Sequence, residues 1–518
     1  SNFEGGLDAG IELYGGSLDL HDSRLSGFPS GDFVSYGGIA ALNRLEIENT
    51  DYGISVYGGT VTLSNSVFKE IFTHAVENYS LSQTDARQNF WGDLSGPYQA
   101  DQNPLGLGYA IYGDILFDPW LASDPFEKLA CCSNVLFLPG IMGSRLYEKG
   151  LDCGPDIVGP ECGDRELWVS SSDLDQANLA LNDQGKSVNN IFTKDDTQKL
   201  DSDSGEKGII DEVSLFNIYK SFTANLKNWK QEGTIADYAF IPYDWRLALD
   251  DIVTNGAASN GNLSYNTSQN FSESFILKKL EALQKNSKSG KVTIIAHSQG
   301  GLVAKALIQK LEDTNNPLYD KIDKVILIAV PQVGTPDAFV ELLHGTDIGP
   351  AGLIMSNERS RQLSENMSSV YDFLPSAHYF TMAQIPFALE KLVTFEDKPF
   401  FNSQISKYGL NISDEIDLKN YILGTDGRVK PSFDDTVHPN IGNSALYTQA
   451  ENIHQILDAW SPSANTKVIQ VAGWGEETLA GLDYKAYVNF WGSEYLSYKP
   501  RKVIDGDGTV VVPSALWM

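Results

Sequence analysis

The stretch "KVTIIAHSQGGLVAKALIQKLE", Lys291 to Glu312, decides how most of this chain folds. An apolar, β-branched run leads into Ala296-His297-Ser298-Gln299-Gly300-Gly301, and apolar residues at helical spacing follow. A strand, a turn of small residues and a helix form the setting of a nucleophile elbow, where a serine is held at the apex with its hydroxyl exposed. Ala296, Gly300 and Gly301 are small enough for the sharp turn. A serine in a purely structural turn is the alternative, and the neighbouring sequence must separate the two.

The segments around this stretch alternate in type. "NVLFLPG" (Asn134 to Gly140), "DYAFIPYDWR" (Asp237 to Arg246), "KVILIAVP" and "KVIQVAG" read as strands. "SLFNIYKSFTANLKNWKQEG" (Ser214 to Gly233) and "SESFILKKLEALQKN" (Ser272 to Asn286) read as amphipathic helices. Apolar strands alternating with helices predict a doubly wound, mostly parallel sheet. A nucleophilic serine also needs donors for the oxyanion. The backbone N–H of Gln299 would be one, at a helix N-terminus whose dipole favours negative charge. The second is expected from the loop after an early strand, here "LPGIMGSRLY", and falls on the N–H of Ile141. Gly140 and Gly143 would let that backbone approach a substrate.

Residues 1 to about 98 follow another grammar. "YGG" recurs at Tyr14, Tyr36 and Tyr57, and each unit holds short alternating apolar stretches punctuated by Asn, Asp, Ser and Gly. A fixed period of short strands predicts a solenoid, here a parallel β-helix with Leu, Val and Ile inside. The stretch resembles right-handed parallel β-helix repeat families, and Asn89 to Leu121 resembles their closing segment. The domains are therefore expected at 1–122 and 123–518. Ser1 begins inside the pattern, so the start is expected to be a processed or truncated edge. Acidic residues look scattered over the repeats, which favours a stalk, adhesion or glycan-contacting module over a polysaccharide-cleaving one.

A formal net charge of −30 argues against nucleic acid and against electrostatic docking on anionic lipid. No apolar run is long enough to predict a transmembrane helix. Cys131, Cys132, Cys153 and Cys162 are closely spaced but do not match zinc-ligand spacing. They are disulfide candidates for the "LDCGPDIVGPECGD" loop, which implies an oxidising, extracellular or cell-surface location. No metal or cofactor is expected.

"PGIMGSRL", "IPYDWRL", "AHSQGGLVAKAL", "AVPQVGTP" and "VIDGDGTVVVPSAL" occur in the order found in the lecithin:cholesterol acyltransferase-like family, which this region resembles from about Asn134 to Met518. That resemblance implies an α/β-hydrolase fold and a Ser-Asp-His triad. Ser298 would be the nucleophile and Asp507 the acid, with Asp505 the neighbouring alternative. The histidine should follow the acid, yet none lies between Asp507 and Met518. It is expected beyond Met518. Asp244, Trp245 and Arg246 read either as a head-group contact or as a buried pair bracing the site loops. Insertions near 145–210 and 345–411 would form a cap, the second rich enough in Phe, Met, Leu and Ile to act as an apolar lid. The expected function is hydrolysis or transfer of an acyl group from a lipid ester through an acyl-enzyme. A β-helix binding protein with an inactive hydrolase domain is the competing expectation.

Overall fold

A computed structural model gives the fold; it describes residues 2–6, 8–126, 132–150, 163–195, 208–213, 216–349, 354–381 and 391–517. The chain divides into two units, Ser1–Leu129 and Ala130–Met518.

In the first unit β1 (Ser17–Ser26), β2 (Phe33–Ser64), β3 (Val67–Asn78) and β4 (Ile111–Gly113) pair in parallel. Ser17 pairs with Ile39 and Glu46 with Val67, so register advances by about one sequence repeat per step. The sequence suggests short separate strands. Instead β2 stays paired through its bends and is continuous over 32 residues. Asp22, Arg44 and Asn65 take positive φ at such bends, a conformation Asn and Asp tolerate better than most. The "YGG" repeat has a steric cause: a Cβ at Gly59, where φ is +87°, would lie 2.5 Å from the carbonyl oxygen of Gly38. Leu25, Leu45, Ile47, Phe68 and Trp91 fill the interior. Outside, Tyr14, Tyr36, Tyr57 and Tyr79 stack with ring centroids 4.8, 5.5 and 5.4 Å apart. Acidic residues that look scattered in sequence line up across neighbouring strands. Arg24 lies between Glu4, Glu46 and Glu48, while Lys69 pairs with Glu46 and Asp124.

The strands of the second unit include β5 (Asn134–Leu138), β6 (Tyr238–Phe240), β7 (Val292–His297), β8 (Ile322–Ile328), β9 (Val393–Phe395), β10 (Asn411–Ile412), β11 (Lys467–Val471), β12 (Thr478–Val488) and β13 (Glu494–Val503). One all-parallel sheet runs β6-β5-β7-β8-β11. Alternate residues leave opposite faces of a strand. Val135, Phe137 and Ile295 pack with Leu226 of α1 (Lys220–Gln231). Leu136, Leu138, Ile294 and Ala296 enter the larger core with Leu280 of α2 (Phe275–Asn286) and Leu302 of α3 (Gln299–Asp313). Burial on both faces is why β5 and β7 are mostly apolar. The arrangement fits an α/β-hydrolase-like domain.

Several boundaries differ from the sequence reading. The helix expected from Ser214 begins at Lys220, because the Asp211 carbonyl gathers the N–H groups of Ile218, Tyr219 and Lys220 in a turn. The helix expected from Ser272 begins at Phe275, after a 3₁₀ turn over Phe271–Glu273. A second sheet, β10-β9-β12-β13, was not read from sequence. At the tip of its β12–β13 hairpin the Asn489 side chain accepts the N–H groups of Trp491 and Ser493. Cys131, Cys153 and Cys162 lie outside the described residues, as do 196–207, 350–353 and 382–390 of the expected insertions; Cys132 is half-buried.

Candidate active site

Ser298 stands between the end of β7 and the start of α3 with φ 51° and ψ −122°. A side-chain-bearing residue at positive φ is strained, and such strain persists only where the surroundings impose it. Here they do. The Ser298 N–H donates to the Ile328 carbonyl of β8 at 2.9 Å, which anchors the apex to the neighbouring strand. A Cβ at Gly300 would come within 2.4 Å of the Leu138 carbonyl oxygen, and one at Gly301 within 2.2 Å of the Val330 side chain. The two glycines thus let α3 start hard against β5 and the segment after β8. The Ser298 side chain does not cap the helix it precedes. It faces a cavity of about 180 Å³.

The loop after β5 is pinned at its ends and open in its middle. Gly140 donates its N–H to the Tyr219 hydroxyl at 2.9 Å. The Tyr243 hydroxyl donates to the Pro139 carbonyl. Gly143 N–H returns to the Gly140 carbonyl at 3.0 Å, and Met142 between them takes φ 60°. A Cβ at Gly140 would press on His297 at 2.9 Å and on the Ser298 Cβ at 3.0 Å, so only glycine lets the loop lie against the elbow. Among the described residues the N–H groups of Ile141 and Gln299 have no partner. Ile141 and Ser298 line the same cavity.

Asp507 sits in a turn with half-exposed surface. Its Oδ1 accepts the N–H groups of Thr509 at 3.0 Å and Val510 at 2.8 Å, while Oδ2 has no partner among the described residues. Thr509 and Val510 line the Ser298 cavity, so this turn reaches the same site. Asp505 contributes its backbone carbonyl to the N–H of Val512.

No histidine lines this cavity among the described residues. His297 shares a 2.8 Å hydrogen bond with Tyr219 through Nδ1. Burial holds it below the usual histidine range, against the opposing charge of Asp507. His438 is exposed and bonded to Asp435, and buried His454 is bonded to Asp458. His344 is fully enclosed between Thr436 and Tyr484.

The Asp244-Trp245-Arg246 stretch is enclosed by protein. The three residues are 1%, 0% and 0% exposed. Arg246 clasps Asp244 through Nε at 2.8 Å and Nη2 at 2.6 Å, and donates to the Leu179 carbonyl. Trp245 donates to the Ser144 carbonyl at 3.1 Å, and its own carbonyl accepts the Gln299 side chain at 3.0 Å. Trp168 meets Trp245 edge-on and donates to the Met142 carbonyl. These bonds tie the loop after β6 to the segments that carry Ile141 and Gln299.

Sequence reasoning missed two carboxyls in the cavity wall, Asp337 and Glu341. Both lie on α4 (Pro336–His344), with α5 (Asn357–Ser364) packed beside it. The acidic spacing in "PDAFVELLH" was the available signal.

The sequence profile described as lecithin:cholesterol acyltransferase matches residues 206–517. The loop carrying Ile141 precedes that match. No curated protein matches the sequence. A chain of the solved structure described as "The crystal structure of Tle4-Tli4 complex" is similar over 74% of this chain and 88% of its own, at 13% identity and a TM-score of 0.39.

Proposed function

Since the chain belongs to the lecithin:cholesterol acyltransferase family, we propose that it cleaves acyl esters of lipids with Ser298 as the nucleophile. The observation that carries this reading is the strained Ser298 lining a cavity, beside two amides that have no partner among the described residues. Ser298 Oγ attacks the ester carbonyl, and the N–H groups of Ile141 and Gln299 receive the oxyanion. The carbonyl collapses, the alcohol leaves, and an acyl-serine remains for water or an acceptor alcohol. Asp507 would orient and stabilise a histidine base, a role supported by an Oδ2 that has no partner among the described residues. None of the described histidines stands in the cavity to serve as that base. The second reading is a β-helix carbohydrate-binding or adhesion protein with an inactive hydrolase domain. We read the first unit as a right-handed parallel β-helix, supported by its stepped parallel register, and segments 145–210 and 345–411 as the cap.

The test is labelling by a fluorophosphonate together with ester turnover. Labelling should fall on Ser298 and vanish in Ser298→Ala, with turnover lowered by about 10⁴-fold or more. A folded protein that extends past Met518 to the expected histidine and still neither labels nor turns over ester leaves only the binding reading.

A further inference from the structure

Tyr219, buried at the start of α1, touches both halves of the site from behind. Its hydroxyl accepts the Gly140 N–H at 2.9 Å and shares a 2.8 Å hydrogen bond with His297 Nδ1. Gly140 precedes Ile141, and His297 precedes Ser298. One hydroxyl therefore joins the loop after β5 to the elbow. The other side chains bonded to that loop come from elsewhere: Tyr243 holds Pro139, Trp168 holds Met142 and Trp245 holds Ser144.

The direction of the Tyr219–His297 bond follows from counting protons. A phenol has one hydrogen to give and accepts through its oxygen. Gly140 gives to that oxygen, and His297 Nδ1 is the acceptor within reach of the phenol proton among the described residues. Tyr219 thus donates to Nδ1, and His297 is neutral with its own proton on Nε2. Asp507 is the charged group that acts on this ring. Tyr243, the titratable neighbour of Tyr219, gives its proton to the Pro139 carbonyl. Burial pushes Tyr219 up to about 12, so its hydroxyl keeps its proton from acid to well above neutrality.

An imidazolium carries hydrogen on both nitrogens and accepts nothing. Protonation of His297 turns the bond around. Nδ1–H then competes with Gly140 for the Tyr219 oxygen, and the phenol proton is left against buried apolar neighbours such as Phe137, whose ring lies 5.0 Å away. A buried donor without an acceptor is unfavourable.

We propose that Tyr219 and His297 form a proton-sensitive latch, which holds the Ile141 segment against the Ser298 elbow while His297 is neutral and slackens when it is protonated. The catalytic reading enters only in what the latch serves, which is keeping the Ile141 N–H in register with Ser298 Oγ. Tyr219 and His297 are positioning residues, and neither lines the Ser298 cavity.

The first measurement needs no turnover. It is the hydrogen-exchange protection factor of the Gly140 amide in the full chain, from pH 7.5 down to pH 4.5. Tyr219→Phe keeps the ring and removes the hydroxyl. It should lower that protection about tenfold at pH 7.5. The difference from the unaltered chain should narrow as pH falls through the His297 value. His297→Ala should lower protection as well, and the two together by less than the product of their separate factors. His297→Asn, whose amide can offer an oxygen where Nδ1 stood, should recover part of the loss and remove the pH response. The two His297 variants carry the test should Tyr219→Phe fail to fold. In the protein extended past Met518, Tyr219→Phe should lower kcat for 4-nitrophenyl butyrate about tenfold at pH 7.5 with KM little changed. The ratio of unaltered to variant kcat should approach one in acid, and titration of a shared catalytic base cancels in that ratio. Gly140 protection that ignores both Tyr219→Phe and His297→Ala, or a difference that persists unchanged to pH 4.5, overturns the latch. An intact latch in an extended protein without turnover sinks the catalytic reading alone. Turnover unmoved by loss of the latch sinks its positioning role alone.

Discussion

At the residue scale the elbow is held by what its neighbours cannot tolerate. A methyl group at Gly301 has no room beside Val330. Gly301→Ala should lower stability by about 1–3 kcal/mol through overpacking, read from urea denaturation, and should also reduce Ser298 labelling because α3 must move. A change below a few tenths of a kcal/mol would mean that Val330 yields freely. Arg246→Ala leaves Asp244 charged and buried, so a loss of about 3–5 kcal/mol is expected by the same method. Ser298, Gly300 and Gly301 were legible in the sequence because a tight turn is a local steric problem. Asp337 and Glu341 were not. In "PDAFVELLH" they read as the wet side of an amphipathic helix, and only the packing of α5 against that side turns it inward.

At the scale of elements, each strand of the first unit depends on the next for its hydrogen bonds, and buried side chains seal its bends. Asn89 is 0% exposed. Its Oδ1 accepts the Ser66 N–H at 2.8 Å, and its Nδ2 donates to the carbonyls of Leu63 and Ala86 at 2.9 and 2.8 Å. Asn89→Ala strands all three, at about 1–3 kcal/mol per buried group, so this unit should unfold at clearly lower urea while the second is unmoved. A shared shift of both transitions would contradict it. The main parallel sheet was readable because its central strands, buried on both faces, are mostly apolar. The β12–β13 hairpin was not, since Asn489-Phe490-Trp491-Gly492 lacks the usual two-residue turn signal and holds its aromatics in solvent, Phe490 at 94% exposure and Trp491 at 83%.

At the scale of the whole molecule, buried acids set the response to pH. Burial raises Asp337 to about 6 and Glu341 and Asp372 to about 7, above their unfolded values near 4. Between those limits the native state keeps protons that the unfolded state has shed, so stability falls as pH rises through them. His454, raised chiefly by Asp458 against the opposing effect of its burial, acts in the same sense, losing its contribution as pH climbs through its native value. His344, lowered by burial to about 4, opposes them between there and its ordinary value. His297, also lowered by burial, opposes them in the same sense, and the three carboxyls and His454 outweigh both histidines. The second unit should therefore melt several degrees higher at pH 5.5 than at pH 7.5 by scanning calorimetry; a melting point rising with pH over that range would refute the balance. The acidic excess of the chain was legible from composition, but which acids are enclosed was not, because enclosure is a property of the packed fold.

The tyrosine column on the first unit has a spectroscopic consequence. Rings stacked within 5.5 Å and tilted by 9–14° do not absorb as independent chromophores. Their transitions couple, excitation migrates along the column, and the array rotates polarised light in the near ultraviolet in a way isolated phenols do not. When the strands separate the coupling disappears at once, so this unit carries its own optical report of folding, readable without any added dye.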